Sequence, residues 1–178
     1  MVEHRPFQVD PDLPFGVQDK ISYLRKRLGA DAGALDGMIE ACKAMFTAAG
    51  LPALRRDGQT GNSFDCHRLL SHAATLTSPV DAQERLLHAL FTQYFHHGRS
   101  MSDHDALLAA VAEAAIDVDA ARAVLESDAY ADVVRDHIAT ARAQGIQSVP
   151  FFQIGDRPGF GGSDTDFGAI FAGIATGY

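Results

Sequence analysis

Near its carboxyl end the chain runs Ser148-Val149-Pro150-Phe151-Phe152-Gln153-Ile154. This is a short β-prone run, and its proline stands at the start, where a missing backbone donor is tolerated in a strand. Strong turn residues follow at 155–159, and a short return strand is predicted around Phe160. Beyond them, apolar residues spaced for burial predict a last helix after Ser163. The tail is therefore predicted to fold as strand, turn, strand and helix.

Upstream of this tail, residues 17–145 are predicted to be almost entirely helical. The clearest helix runs from Ser78 to His97, with Pro79 in the first helical position and one broad apolar stripe along its length. Ser102 is predicted to cap the next helix, since an acidic residue follows three positions later. Apolar spacing predicts further helices near 17–28, 31–49, 63–76, 118–126 and 128–144.

The amino-terminal residues 2–9 are predicted to be extended, with Phe7 and Val9 on one face of a two-residue period. Pro6 fits an edge strand better than a central one, because it has no backbone N–H. A proline-rich loop follows at 10–16. The sequence thus predicts an α/β protein, in which a helical block separates one isolated strand from the carboxyl-terminal tail.

The composition excludes several classes of protein. The 178 residues are 47% hydrophobic and carry a formal charge of −8, so there is no broad attraction for nucleic acid or anionic lipid. No apolar run reaches the ~18 residues of a membrane span, and the first residues lack the apolar core of a signal peptide. We therefore expect a cytoplasmic protein that binds neither nucleic acid nor membrane. Two cysteines do not make a disulfide scaffold.

Four stretches resemble, in sequence and in order, the DsbA-like thioredoxin-fold family and in particular its cytosolic FrnE-like branch. They are His4-Arg5-Pro6-Phe7-Gln8-Val9-Asp10-Pro11-Asp12-Leu13-Pro14, Asn62-Ser63-Phe64-Asp65-Cys66-His67-Arg68-Leu69-Leu70, Leu87-His88-Ala89-Leu90-Phe91-Thr92-Gln93-Tyr94-Phe95 and Gly145-Ile146-Gln147-Ser148-Val149-Pro150-Phe151-Phe152. The resemblance implies a thioredoxin-like core at 1–16 and 146–178, interrupted by an all-helical insertion at 17–145. It also implies that Pro150 is cis and that the Val149 backbone receives an extended substrate or glutathione, as an added strand would be received.

One part of the family pattern has no counterpart here. In the family, a first strand leads to a Cys-x-x-Cys at the start of a helix, where a low-pKa thiolate attacks disulfides. The 178 residues contain no Cys-x-x-Cys, so the thioredoxin-like fold is incomplete at its amino-terminal side. Either the sequence is truncated upstream, or the protein is a relative that has lost its redox centre. The sequence leaves both explanations open.

The two cysteines that are present do not replace this centre. Cys42 and Cys66 lie within predicted helices, where cysteine behaves as a small buried apolar residue. His67 and Arg68 are predicted to brace the helical insertion. We therefore expect no catalytic residue in this chain, and no disulfide chemistry from the chain by itself. No histidine or cysteine pattern has zinc spacing, so no metal is expected.

The segment Gly161-Gly162-Ser163-Asp164 supports two compatible interpretations. Ser163 can cap the last helix, with Asp166 as its partner three residues later. The segment also resembles kappa-class glutathione transferases and 2-hydroxychromene-2-carboxylate isomerases, in which Gly-Ser-Asp holds the γ-glutamyl end of glutathione. That resemblance implies glutathione binding by Val149, Pro150, Ser163 and Asp164. A helix start suits a carboxylate, and an aspartate pairs with an ammonium group.

Three functions are therefore predicted, in descending order. The first is a DsbA/FrnE-like thiol–disulfide oxidoreductase or isomerase whose dithiol segment is absent from this chain. The second is a glutathione-dependent isomerase or transferase, with glutathione as cosubstrate and no other cofactor required. The third is a redox-inactive accessory or binding protein in a biosynthetic pathway.

The absent central strand has a structural consequence. Without it, the backbone groups of residues 2–9 and 151–154 lose their partners, and unpaired buried groups are costly. We expect either a homo-oligomer or a mobile strand at 2–9.

Overall fold

The computed structural model describes residues 2–29, 31–155 and 158–162. A π-helical turn, Thr92–His96, continues the fourth α-helix. In chain order the elements are β1 (Gln18–Asp19), α1 (Lys20–Leu28), α2 (Ala32–Ala48), β2 (Gln59–Thr60), α3 (Phe64–Ala73), α4 (Pro79–Phe91), α5 (His104–Glu113), α6 (Val118–Leu125), α7 (Ala131–Ala143), β3 (Phe151–Phe152) and β4 (Phe160–Gly161). Every helix predicted between residues 17 and 145 is present, most within three residues of its expected ends. The last predicted helix lies outside the described residues.

Aspartate side chains begin four of these helices. The carboxylates of Asp19, Asp31, Asp103 and Asp117 each accept a hydrogen bond from a backbone N–H in the first helical turn. These bonds satisfy donors that would otherwise be unpaired at the helix start. The prediction that Ser102 caps α5 is wrong, because its hydroxyl donates instead to the carbonyl of Gly16, 3.0 Å away.

The hydrophobic core lies among α3, α4, α5 and α6. Each helix contributes an apolar stripe, and the most deeply buried side chains are no more than 1% exposed. These side chains come from helices that are neighbours in sequence, which explains why the 3.6-residue period predicts them well. They include Leu69, Leu86, Leu90, Leu107 and Val111.

Arg68 braces this helical unit, as predicted. Its guanidinium is buried and forms an ion pair with Asp65 at 2.8 Å. It also donates to the carbonyls of Val124 and Ser127, and to that of Ala129 at 2.9 Å. These carbonyls lie at and just beyond the end of α6, where helix carbonyls lack partners. One side chain thus ties α3 to the connection between α6 and α7.

The amino-terminal residues 2–9 form no β-strand, although their burial alternates from residue to residue. Pro6 and Gln8 are buried, whereas Val9 is 55% exposed. The two-residue period is therefore present, but its inward face is the one opposite to Phe7 and Val9. Polar anchors to α3 and α4 replace strand pairing, so the segment is held without a neighbouring strand.

Two short antiparallel strand pairs complete the described fold. β1 pairs with β2, a pair that the sequence did not predict, and β3 pairs with β4 as expected for the tail. Among the described residues, no helix combines the length and the apolar character that crossing a membrane requires.

Candidate functional site

The candidate site is the loop that leads from α7 into β3. The Val149–Pro150 peptide bond is cis, as predicted, and Val149 is 48% exposed. Within the described ranges, no hydrogen bond involves the backbone N–H or C=O of Val149. An exposed residue whose backbone polar groups are unpaired is what an extended peptide needs in order to add as a strand.

The β3–β4 hairpin directly follows this loop. Phe151 pairs with Gly161 and Phe152 with Phe160, and the rings of the second pair stack with their centroids 5.6 Å apart. The N–H of Gly162 donates to the Pro150 carbonyl at 3.1 Å. The hairpin thus continues its hydrogen bonding up to Pro150 and ends there, which leaves Val149 beyond the last pair.

An open groove of about 300 Å³ lies beside the loop. The amino-terminal segment forms one wall, and the end of α7 with its connection to β3 forms the other. The lining residues are Phe7, Gln8, Val9, Arg142, Gly145, Ile146 and Gln147. The groove therefore ends two residues before Val149. Its lining is mixed, with apolar side chains beside one guanidinium and two side-chain amides.

Asn62 and His67 hold the groove wall at 7–9 in place. The buried Gln8 amide donates to the side-chain oxygen of Asn62 at 2.8 Å, and Asn62 donates to the carbonyls of Pro11 and Leu13. His67 hydrogen bonds to the Phe7 backbone, and burial lowers the pKa of its imidazole to about 4. A neutral histidine therefore lies under the groove wall at neutral pH.

The two thiols differ sharply from one another. Burial raises the pKa of Cys66 to about 12, and the neighbouring Asp65 adds to this effect, so the thiol is not a nucleophile at neutral pH. Cys42 on α2 is exposed, which corrects the prediction that both thiols are buried. The correction has a simple reason: α2 carries apolar residues on more than one face, and only one face is covered.

The predicted site residues thus have different outcomes. Val149 and Pro150 share the cis peptide bond, two residues beyond the groove lining in sequence, and their role in binding stays a prediction. Ser163 and Asp164 lie outside the described residues, and their role stays a prediction. Sequence reasoning missed Arg142 and Gln147, because nothing in a helical period indicates that the end of α7 meets residues 7–9. Within the described ranges, no group of three His, Cys, Asp or Glu side chains is placed to hold a metal ion.

The comparison with protein-family models decides the family. Residues 1–169 match the model of the DSBA-like thioredoxin domain. The chain belongs to the DsbA-like thioredoxin family. Its fold is accordingly the thioredoxin fold with a large, mostly helical content.

A solved structure extends this assignment. A probable DsbA oxidoreductase from Streptomyces coelicolor is 31% identical and superposes with a TM-score of 0.83. The match covers 98% of this chain and 73% of the Streptomyces protein. A search of curated proteins found no match.

Proposed function

We propose that this chain is the substrate-binding part of a DsbA-like thiol–disulfide oxidoreductase, and that it takes extended, cysteine-containing polypeptide as substrate. The observation that carries the proposal is Val149 itself: the residue is exposed, its backbone polar groups have no partner within the described ranges, and it follows the groove lining by two residues. Membership of the family and the likeness to a probable DsbA oxidoreductase support it.

The proposed binding mode follows from the geometry of the loop. A peptide that pairs with Val149 forms main-chain hydrogen bonds and adds beyond the last pair of the β3–β4 hairpin. The neighbouring groove, whose lining is both apolar and polar, then receives side chains of the peptide. Main-chain pairing reads no particular sequence, which suits an enzyme whose substrates share only a cysteine.

The electron transfer of the proposed reaction needs a dithiol that is not among these residues. Oxidising two substrate thiols to a disulfide releases two electrons and two protons, which a Cys-x-x-Cys disulfide accepts as it becomes a dithiol. Cys66 is buried and has a raised pKa, and Cys42 lies on a different helix. In our proposal this chain positions the substrate, and a Cys-x-x-Cys outside the 178 residues exchanges with it.

A matched pair of variants tests the binding site. Val149→Asp places a carboxylate where it competes for the local backbone N–H and repels peptide carbonyls. We expect it to weaken binding of a short extended cysteine peptide about tenfold, or ~1.4 kcal/mol. Val133→Asp makes the same change on α7 at a similar exposure, 45% against 48%, and should leave affinity unchanged.

Two further probes separate the alternatives. A peptide with serine in place of cysteine should bind equally well, because recognition is through the main chain. Reduced glutathione tests the second predicted function, since it would also engage Asp164. Peptide affinity that is the same in Val149→Asp and Val133→Asp would contradict the proposal. Tight glutathione binding without peptide binding would favour the glutathione-dependent transferase or isomerase.

A further inference from the structure

The second helix, α2, carries apolar residues on two separate faces. Leu35 and Ile39 are 1% and 8% exposed and face the rest of the protein, and Phe46 packs edge-on against Phe95 at 5.5 Å. A second apolar row faces solvent, with Met38 at 48% and Met45 at 62% exposed. The full row is Ala34, Met38, Ala41, Met45 and Ala48, all of them exposed.

The spacing of this outer row is that of a coiled-coil seam. Steps of four, three, four and three residues keep the row on one side of two paired helices. The charged residues Asp36, Glu40 and Lys43 form a separate stripe at the side. Asp36 pairs with Arg56, and Lys43 pairs with Glu40 at 2.7 Å. A monomer gains nothing from a solvent-facing seam without charges, whereas a helix partner would bury it.

We propose that the outer face of α2 pairs with the α2 of a second copy of this chain, antiparallel and centred on Ala41. About that centre Met38 lies opposite Ala44 of the other copy, and Met45 lies opposite Gly37. Both small residues are exposed on the same face. Each methionine thus meets a small residue, which lets large side chains fill the space that small ones leave. This pairing is a property of the chain beyond its proposed substrate binding.

Charge and helix direction favour the antiparallel arrangement. The chain carries a formal charge of −8, so two copies repel each other over most of their surfaces. The seam has no charged side chain, and the charges beside it are already paired within each copy. Antiparallel helices also bring opposite ends of their dipoles together. Like-charge repulsion is therefore lowest at this face.

The size of the surface sets the expected strength of the dimer. A 17-residue helix is about 25 Å long. Exposed Leu28 and Leu51 flank its two ends, and antiparallel pairing brings Leu51 of one copy to the end where Leu28 of the other lies. Such a contact reaches only the lower part of the ~1,200–2,000 Å² typical of stable complexes. We expect a dimer that forms in the micromolar range.

Analytical ultracentrifugation of the full chain tests the pairing, over a range of micromolar concentrations that spans about a factor of one hundred. The unmodified chain should pass from monomer to dimer. The double variant Met38→Glu, Met45→Glu should remain monomeric at every concentration and keep the circular dichroism spectrum of the unmodified chain. Val133→Glu, a charge at an exposed valine on α7, should dimerise as the unmodified chain does. A chain that stays monomeric throughout, or a dimer that survives both methionine changes, would overturn the proposal.

Cross-linking tests the direction of the helices. In a Cys42→Ser background, Ala34→Cys and Ala48→Cys chains should each give little covalent dimer with a short bifunctional maleimide. A mixture of the two should give a dimer of twice 19.1 kDa, because antiparallel pairing puts residue 34 opposite residue 48. Cross-linking of Ala34→Cys with itself, and none in the mixture, would indicate parallel pairing and contradict the antiparallel one.

Discussion

The contrast between Cys42 and Cys66 shows how far two thiols of one chain can differ. Cys66 sits in the core among α3 to α6, where the charged thiolate is strongly disfavoured and the pKa is raised to about 12. Cys42 faces solvent on α2. We expect a thiol reagent to modify one thiol per folded chain quickly, and the second only on unfolding.

Mass spectrometry after brief labelling at low protein concentration identifies the thiol that reacts. Cys42→Ser should abolish the fast phase, and Cys66→Ser should leave it intact. We attribute the low reactivity of Cys66 to its burial. Fast modification of Cys66 in the folded chain would contradict this explanation.

His67 predicts an acid-sensitive contribution to stability. Its pKa is about 4 in the folded protein and about 6.5 when unfolded. Above pH 6.5 both states are neutral at this residue. As the pH falls from about 6.5 to 4, the unfolded state takes up a proton that the folded state does not, so stability is lost. At ~1.4 kcal/mol for each pKa unit, the full loss is about 3 kcal/mol.

Denaturant unfolding at a series of pH values measures this loss. The His67→Gln variant removes the titration and keeps an N–H donor for the Phe7 carbonyl. Its free energy of unfolding should fall less steeply between pH 6.5 and 4 than that of the unmodified chain. Equal slopes for the two proteins would show that His67 does not contribute.

At the scale of elements, Arg68 joins α3 to the end of α6. Replacing it by methionine keeps apolar volume, but it leaves the largely buried Asp65 with only His104 as a partner and several carbonyls without a donor. Breaking a buried pair in this way typically costs about 3–5 kcal/mol. We therefore expect Arg68→Met to lower the free energy of unfolding by that amount.

Arg135→Met is the matched control for this change. Arg135 also pairs with an aspartate three residues earlier, Asp132, but both side chains are largely exposed. Its ion pair and its contact with the Phe64 ring are together worth about 1 kcal/mol at most. Equal losses in urea unfolding for the two variants would refute a special role for Arg68.

At the scale of the whole molecule, local sequence patterns predicted the helices. They did not predict the contacts between segments that are distant in sequence. Apolar periodicity located α1 to α7, and in the core helices α3 to α6 each helix buries a face against neighbours that are close in sequence. The groove was not predictable, since it depends on residues 7–9 meeting the end of α7. The strand predicted at 2–9 is not formed: no described strand pairs with this segment, and its buried Gln8 bonds instead to Asn62.

The candidate site was predictable only in part, for a related reason. Val149 and Pro150 were indicated by a short local run of sequence. Arg142 lies in the last turn of α7 and Gln147 just beyond its end, and nothing in the sequence distinguishes them from other exposed residues. The exposed face of α2 was not predictable, because an apolar helix sequence does not indicate which of its faces will be covered.

Amide hydrogen exchange at Val149 tests the central claim most directly. The Val149 N–H has no partner within the described ranges, so it should exchange quickly in the free chain. Saturation with a short extended cysteine peptide should slow its exchange. The N–H of Ala53, an exposed residue that also has no backbone partner for this group within the described ranges and does not line the groove, should be unaffected. Val149 exchange that stays unchanged while the peptide is shown to be bound would contradict the proposal that this loop receives the substrate.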